Sequence, residues 1–165
     1  MGILQRKRKG DNICMKYLLC ELNAENYTMP EFSFFNTKEE AIKEALFVCA
    51  NHFNGHYDTD ITVENNLSRI CVDDEDDFYV TEILEFDETK GDHLLVWHHA
   101  YHGVDFGIRF QGTFWECDDE RIKQIQRVFD EYDLSNADNE GFDIEEDNVV
   151  DTGEEWEMWS IVEIK

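Results

Sequence analysis

HLLVWHHAYHGVDFGIRFQGTFW, residues 93–115, reads as a β-hairpin and sets the class of the fold. In its second arm Val104, Phe106, Ile108 and Phe110 alternate with Asp105, Gly107, Arg109 and Gln111, the period of a half-buried strand. His102-Gly103 between the arms supplies a tight turn. The spacing predicts strands over His93–Tyr101 and Val104–Trp115.

Outward from the hairpin, Asp118-Asp119-Glu120 places acids where a helix start favours negative charge. Ile122, Ile125, Val128, Phe129 and Tyr132 follow at helical spacing, which predicts an amphipathic helix over Asp119–Leu134. Ser135–Thr152 is polar, acidic and without period, the pattern of an exposed loop. Trp156–Ile164 closes the chain as a strand with Trp156, Met158, Val162 and Ile164 on one face.

Upstream, Met15–Leu22 and Glu31–Phe35 read as strands separated by a turn containing Pro30. Thr37-Lys38-Glu39-Glu40 has the spacing of a capping box, and Ala41, Ile42, Ala45, Leu46, Cys49 and Phe53 continue it as a helix ended by Asn54-Gly55. Short strands are expected at Asp60–Val63 and Ser68–Val72, and a longer one at Phe78–Phe86. The run Asp73–Asp77 reads as a loop, because five like charges repel one another inside any regular element. Asp87–Asp92 reads as a second acidic turn, and no internal repeat is visible. These elements predict an α+β fold: a mostly antiparallel sheet of about five to seven strands with two amphipathic helices packed on one face. Residues 15–165 form one acidic domain in this reading, and residues 1–14, with Arg6, Lys7, Arg8 and Lys9, form a flexible basic arm.

The chain has 165 residues, 42% of them hydrophobic and 13% aromatic, enough apolar material to fold. Thirty-nine acids against 14 bases give a formal net charge of −25. Solubility asks for a magnitude of only about 2–8 in a small domain, so the surplus calls for a function or for adaptation to a saline setting. Five scattered cysteines, with no CxxC, fit a reducing compartment. There is no apolar run of membrane-spanning length and no signal-peptide pattern, so the expected location is cytoplasmic, the host cytoplasm if the chain is phage-encoded.

Catalytic and cofactor motifs are absent: there is no GxGxxG, Walker loop, HExxH or nucleophile elbow. His98 and His102 share a strand face, but a fourth-neighbour pair lies about 13 Å apart, too far for one zinc ion. Aligned on Gly141, the segment from Asn136 fails an EF-hand register at Asp143 and Asp147. Acids beside Cys117 oppose a thiolate. The expectation is therefore a protein that is not an enzyme, with no cofactor and no metal. Nucleic-acid binding by the domain body is disfavoured, because a phosphate backbone demands clustered bases.

The acids themselves are unevenly spread. Residues 93–117 hold only Asp105 and Glu116, whereas the stretch from Asp130 to Glu157 contains no Lys or Arg. Candidate partner-binding residues are Asp73, Asp74, Glu75, Asp76 and Asp77, together with Asp143, Glu145, Glu146, Asp147, Asp151, Glu154 and Glu155. On an extended backbone, carboxylates two residues apart would be separated by about 6.6–6.8 Å, close to two axial rises of a DNA strand. The expected partner is a basic protein surface, and the expected function is inhibition of a nuclease or other nucleic-acid enzyme by mimicry of its substrate. Trp156 and Trp159 are candidate aromatic contacts. In size and charge alone the chain is similar to small acidic anti-CRISPR and anti-restriction proteins of phages. An immunity protein against a basic toxin is the alternative, and a small-molecule or nucleotide-signal binder using the Trp97–Tyr101 hairpin is a third.

Overall fold

The computed structural model describes residues 13–23, 29–52, 60–74, 77–100, 104–132, 134, 141–153 and 156–165. Within them lie, in chain order, β1 (Met15–Asn23), β2 (Glu31–Phe35), α1 (Lys38–His52), β3 (Asp60–Glu64), β4 (Arg69–Asp74), β5 (Asp77–Asp87), β6 (His93–Ala100), β7 (Val104–Gly112), α2 (Phe114–Tyr132), β8 (Val149–Asp151) and β9 (Trp156–Glu163). Every strand pairing is antiparallel, and the fold is α+β as the sequence predicts. The strands divide between two sheets, ordered β2-β1-β5-β4-β3 and β7-β6-β9-β8.

Alternation along each strand dictates how the layers stack. On β1, Leu18, Cys20 and Leu22 turn toward Leu94, Val96, Val104 and Phe106 of the second sheet. Leu19 turns the other way, beneath Ala41, Ala45 and Cys49 of α1. On the second sheet Leu95 and Trp159 face outward and pack on Cys117, Ile125 and Val128 of α2. The order of layers is helix, sheet, sheet, helix. The expectation that both helices share one face is corrected here. Strands β1, β6 and β9 carry apolar residues on both faces, so each sheet needs cover on both.

The absence of an internal repeat is also corrected, at the level of structure. β1-β2-α1-β4-β5 and β6-β7-α2-β8-β9 have the same topology, with the last strand of each half returning beside the first. Leu18, Leu19, Cys20 and Leu22 occupy the places of Leu94, Leu95, Val96 and His98. The buried helix positions Ala41, Ala45 and Cys49 correspond to Cys117, Arg121 and Ile125. Cys71 opposes Val80 as Val149 opposes Met158. Even a polar pair recurs: Tyr79 donates its hydroxyl to Glu21 at 2.7 Å, and at the matching strands the Trp97 indole N–H donates to Glu157 at 2.8 Å. Among the described residues β3 has no counterpart in the second half.

Both helices start with the same device. The Thr37 N–H donates to Glu40 and the Glu40 N–H to Thr37 Oγ1, each at 3.2 Å, as the sequence predicts. The same box, overlooked in the sequence, joins Thr113 and Glu116: the Thr113 N–H donates to Glu116 at 2.9 Å, and the returning bond is 3.4 Å. Those bonds hold the Glu116 carboxyl below its ordinary range. The predicted strand through Trp115 is thereby corrected: β7 stops at Gly112, and α2 begins at Phe114, ahead of the predicted Asp119. Thr113→Ala is expected to cost about 1 kcal/mol, read as a lowered urea midpoint with an unchanged slope.

Two further expectations change. Residues 135–152, read as loop, include β8. Along β9, two of the four residues predicted to share a face, Val162 and Ile164, pack toward the first sheet, while Trp159 and Ile161 face α2. Asn54-Gly55, His102-Gly103 and the basic arm through residue 12 lie outside the described residues.

Candidate functional site

Topology gives the sandwich two unlike ends. β5 finishes at Asp87 and β6 begins at His93, so the link 88–92 joins the same end of both sheets. It passes close to β7: a Cβ on Gly91 would lie 2.5 Å from the Gly112 Cα, and only glycine permits that approach. Lys16, Lys38, Lys90 and Lys165 gather at this end, at the starts of β1 and α1, in the link and after β9. At the opposite end the described strand termini, Asn23, Glu31, Asp60, Asp74, Asp77, Ala100, Val104, Asp151 and Trp156, include no Lys or Arg.

The run Asp73–Asp77 falls at that second end, and its reading as a loop is corrected. Asp73 and Asp74 finish β4 and Asp77 opens β5. Ile70 and Val72 on β4 share with Tyr79 and Ile83 on β5 the face beneath α1, which fixes the register, and the acids are carried with it. Asp74 stands opposite Asp77, and Asp60 of β3 opposite Asp73. Directly opposed like charges destabilise a sheet, so this register concentrates negative charge on backbone that other residues hold in place. Asp73 is exposed. Asp151, which ends β8, occupies the place of Asp73 in the second half. Glu75, Asp76, Glu154 and Glu155 lie outside the described residues.

The second acidic segment is built differently from its extended expectation. Residues 143–147 form a closed turn: the Asp147 N–H donates to the Asp143 carbonyl at 2.7 Å, and the Asp143 N–H to the Asp147 carboxylate at 2.7 Å. The Glu145 N–H donates to the Asp143 carboxylate at 2.9 Å. The ladder of evenly spaced carboxylates is therefore absent, because short acidic side chains here satisfy their own backbone. Phe142 and Ile144 pack into the core beneath α2, leaving Asp143, Glu145, Glu146 and Asp147 exposed.

The turn is fixed by Arg121, a residue the sequence reading passed over. Its side chain is 3% exposed, on the buried face of α2. The guanidinium donates to the carbonyls of Ile144 (3.3 Å), Glu145 (2.9 Å) and Asp147 (2.7 Å), and to the Asp118 carboxylate (2.9 Å). A rigid fork of donors suits several carbonyls at once. The only signal in the sequence is a base at the spacing of the helix's apolar stripe.

The two sheets are also tied by polar groups. Arg69 of β4 donates to Glu82 of β5 at 2.8 Å and to the Val104 carbonyl of β7, and the Phe106 N–H donates to Glu82 at 3.0 Å. Burial pushes the Glu82 carboxyl up, against the opposing pull of the Phe106 N–H and Arg69.

Other candidates fall away on geometry. Trp159 is 1% exposed with its indole N–H donated to Gln124 at 3.0 Å, and Trp156 is half-buried, which corrects the expectation of exposed contact aromatics there. Among the described residues the exposed aromatics are Trp115, Phe47, Phe114 and Tyr132. Trp97 has Arg109 over its ring at 4.0 Å and His99 stacked at 5.2 Å, so the hairpin offers no open stacking face at this residue. Cys117 is buried with its thiol pushed up by burial, the wrong direction for a nucleophile. Among the described residues no group of three or more His, Cys, Asp or Glu side chains could hold a metal ion, and no helix is long and apolar enough to cross a membrane. Set against protein-family models, curated proteins and solved structures, the chain has no match.

Proposed function

We propose that this chain is an acidic protein inhibitor that occupies the basic nucleic-acid-binding surface of a nuclease or other nucleic-acid enzyme. The observation that carries the reading is that its acids stand on fixed backbone. Asp73, Asp74, Asp77 and Asp151 end paired strands at an end of the sandwich whose described strand termini lack Lys and Arg, and Asp143, Glu145, Glu146 and Asp147 ride on a turn clamped by Arg121. Preorganised charge loses little conformational entropy on binding and steers a basic partner toward it. An immunity protein against a basic toxin would use the same surface and differ only in the identity of its target.

The test begins with enzymes retained from host lysate at low salt and continues with the purified partner. Inhibition is expected to be competitive with duplex or single-stranded nucleic acid and to weaken steeply between about 50 and 500 mM salt. Asp73→Lys with Asp77→Lys, and separately Asp143→Lys with Glu145→Lys, identify the contacting cluster. At least one pair is expected to weaken the complex about a hundredfold, mainly by faster dissociation. Inhibition indifferent to salt and to both reversals would sink the proposal.

A further inference from the structure

Among the described residues four strands lie at sheet edges; two of them, β7 and β8, are protected, and a third, β2, exposes no apolar side chain. The Phe32, Phe34 and Phe35 side chains of β2 pack into the cores, β7 carries a register shift near Arg109, and β8 spans only Val149–Asp151. Bulges and short length are common ways to keep an edge from recruiting another strand. β3 has neither device. Its sequence, DITVE, is β-branched through the middle and contains no Lys or Pro. Ile61 is 55% exposed and Val63 50% exposed. Their register partners, Val72 and Ile70, are buried with α1, so the exposed pair extends the same face beyond the helix's cover. α1 itself also carries exposed Leu46 and Phe47, at 45% and 60%. β3 is also the strand that the repeated frame does not require.

We infer that β3 is a strand-addition site for an extended, basic segment of the partner, in which apolar residues alternate with Lys or Arg. The proposal takes from the functional reading above only the sign of the partner's charge. Alternation follows from the pleat: one face of an added strand would cover Ile61 and Val63, and the other would meet the side that carries Glu64 and Asp73. Residues 44–68 contain no Lys or Arg, and Arg69, which pairs with Glu64 at 3.5 Å, is shared among Glu64, Glu82, Asp105 and the Val104 carbonyl, so one guanidinium faces three carboxylates. A second copy of this chain is a poor occupant. Antiparallel pairing of β3 with itself about Thr62 would set Asp60 against Glu64 twice, acid against acid.

The experiment uses the whole chain and a short synthetic peptide of alternating valine and lysine, with a valine–glutamate peptide as control. Binding of the lysine peptide is expected to protect the β3 amides from hydrogen exchange and to shift residues 60–64 in NMR spectra. The control should do neither. Ile61→Thr with Val63→Thr, which leaves the charge unchanged, is expected to weaken the peptide at least tenfold without altering the salt dependence. Asp73→Lys is expected to reduce that dependence, and circular dichroism checks that each variant folds. Three results would overturn the inference: peptide binding that leaves the β3 amides unprotected, no binding at all, or a salt-resistant homodimer abolished by Ile61→Lys. Loss of β3 protection with salt-sensitive enzyme inhibition intact would sink this inference alone and leave the inhibitor reading standing.

Discussion

Arg121→Ala is expected to destabilise the protein by about 3–5 kcal/mol, the range for breaking one side of a buried charged network. The substitution removes the donors to three carbonyls of residues 144–147 and the partner of Asp118. Alanine itself is well suited to the position, because Ala45 fills the equivalent place on α1, 1% exposed. The loss therefore reports the clamp and not the helix. Arg121→Lys keeps the charge without the fork and should recover less than half of the difference. Urea unfolding gives the magnitude, and limited proteolysis should cut near residues 142–147 in the alanine variant before global unfolding. An Arg121→Ala protein within about 1 kcal/mol of the parent would mean that the acidic turn is held by Phe142 and Ile144 alone.

The second large effect is a dependence on pH centred on His98. This side chain is 1% exposed, lies against Phe106 at 5.1 Å between ring centres, and has an Nδ1 with no partner among the described residues. Burial, and secondarily the neighbouring His99, lowers its pKa to about 4. In the unfolded chain histidine titrates near 6.5. A depressed folded value contributes stability that is complete above the unfolded pKa and is lost as pH falls toward the folded one. Between about pH 6.5 and pH 4 this group alone should remove about 3 kcal/mol. His98→Leu, which restores the residue of the equivalent Leu22, should remove that share of the acid sensitivity. Parent and variant stabilities, measured across the window, should diverge in favour of the variant as pH falls. Parallel profiles would show that His98 is protonated without cost.

Much of the fold was readable because hydrophobic period and backbone chemistry agreed. β2 and the start of α1 fall where Glu31–Phe35 and the Thr37–Glu40 box put them. The boundary at Thr113 was missed because Phe114 and Trp115 prolong the look of a strand, and the capping bond that ends it depends on only two side chains. Asp73, Asp74 and Asp77 were read as loop from their charge. Their neighbours decided otherwise, since Ile70, Val72 and Val80 secure the ladder that carries them. The repeat stayed hidden because only a few equivalent positions, such as Leu18 with Leu94 and Thr37 with Thr113, keep the residue type, while others share burial or register alone: Leu22 with His98, Ala45 with Arg121, Glu82 with Ser160. Of the candidate site, the acidic clusters were visible in the sequence. What braces them was not, because Arg121 acts on backbone carbonyls, which leave no mark in composition.

The return of β5 beside β1, and of β9 beside β6, has a kinetic consequence. Each half ties its own earliest and latest strands together, so every strand pairing closes within one half of the chain. Loop closure across the whole length is never required before hydrogen bonding can begin. The expected folding route is two local searches followed by one docking event, in which Leu18, Leu22 and Val80 meet Val96, Val104 and Phe106. Until that event each half presents a bare apolar sheet face, and the speed of docking sets how long the chain is open to aggregation.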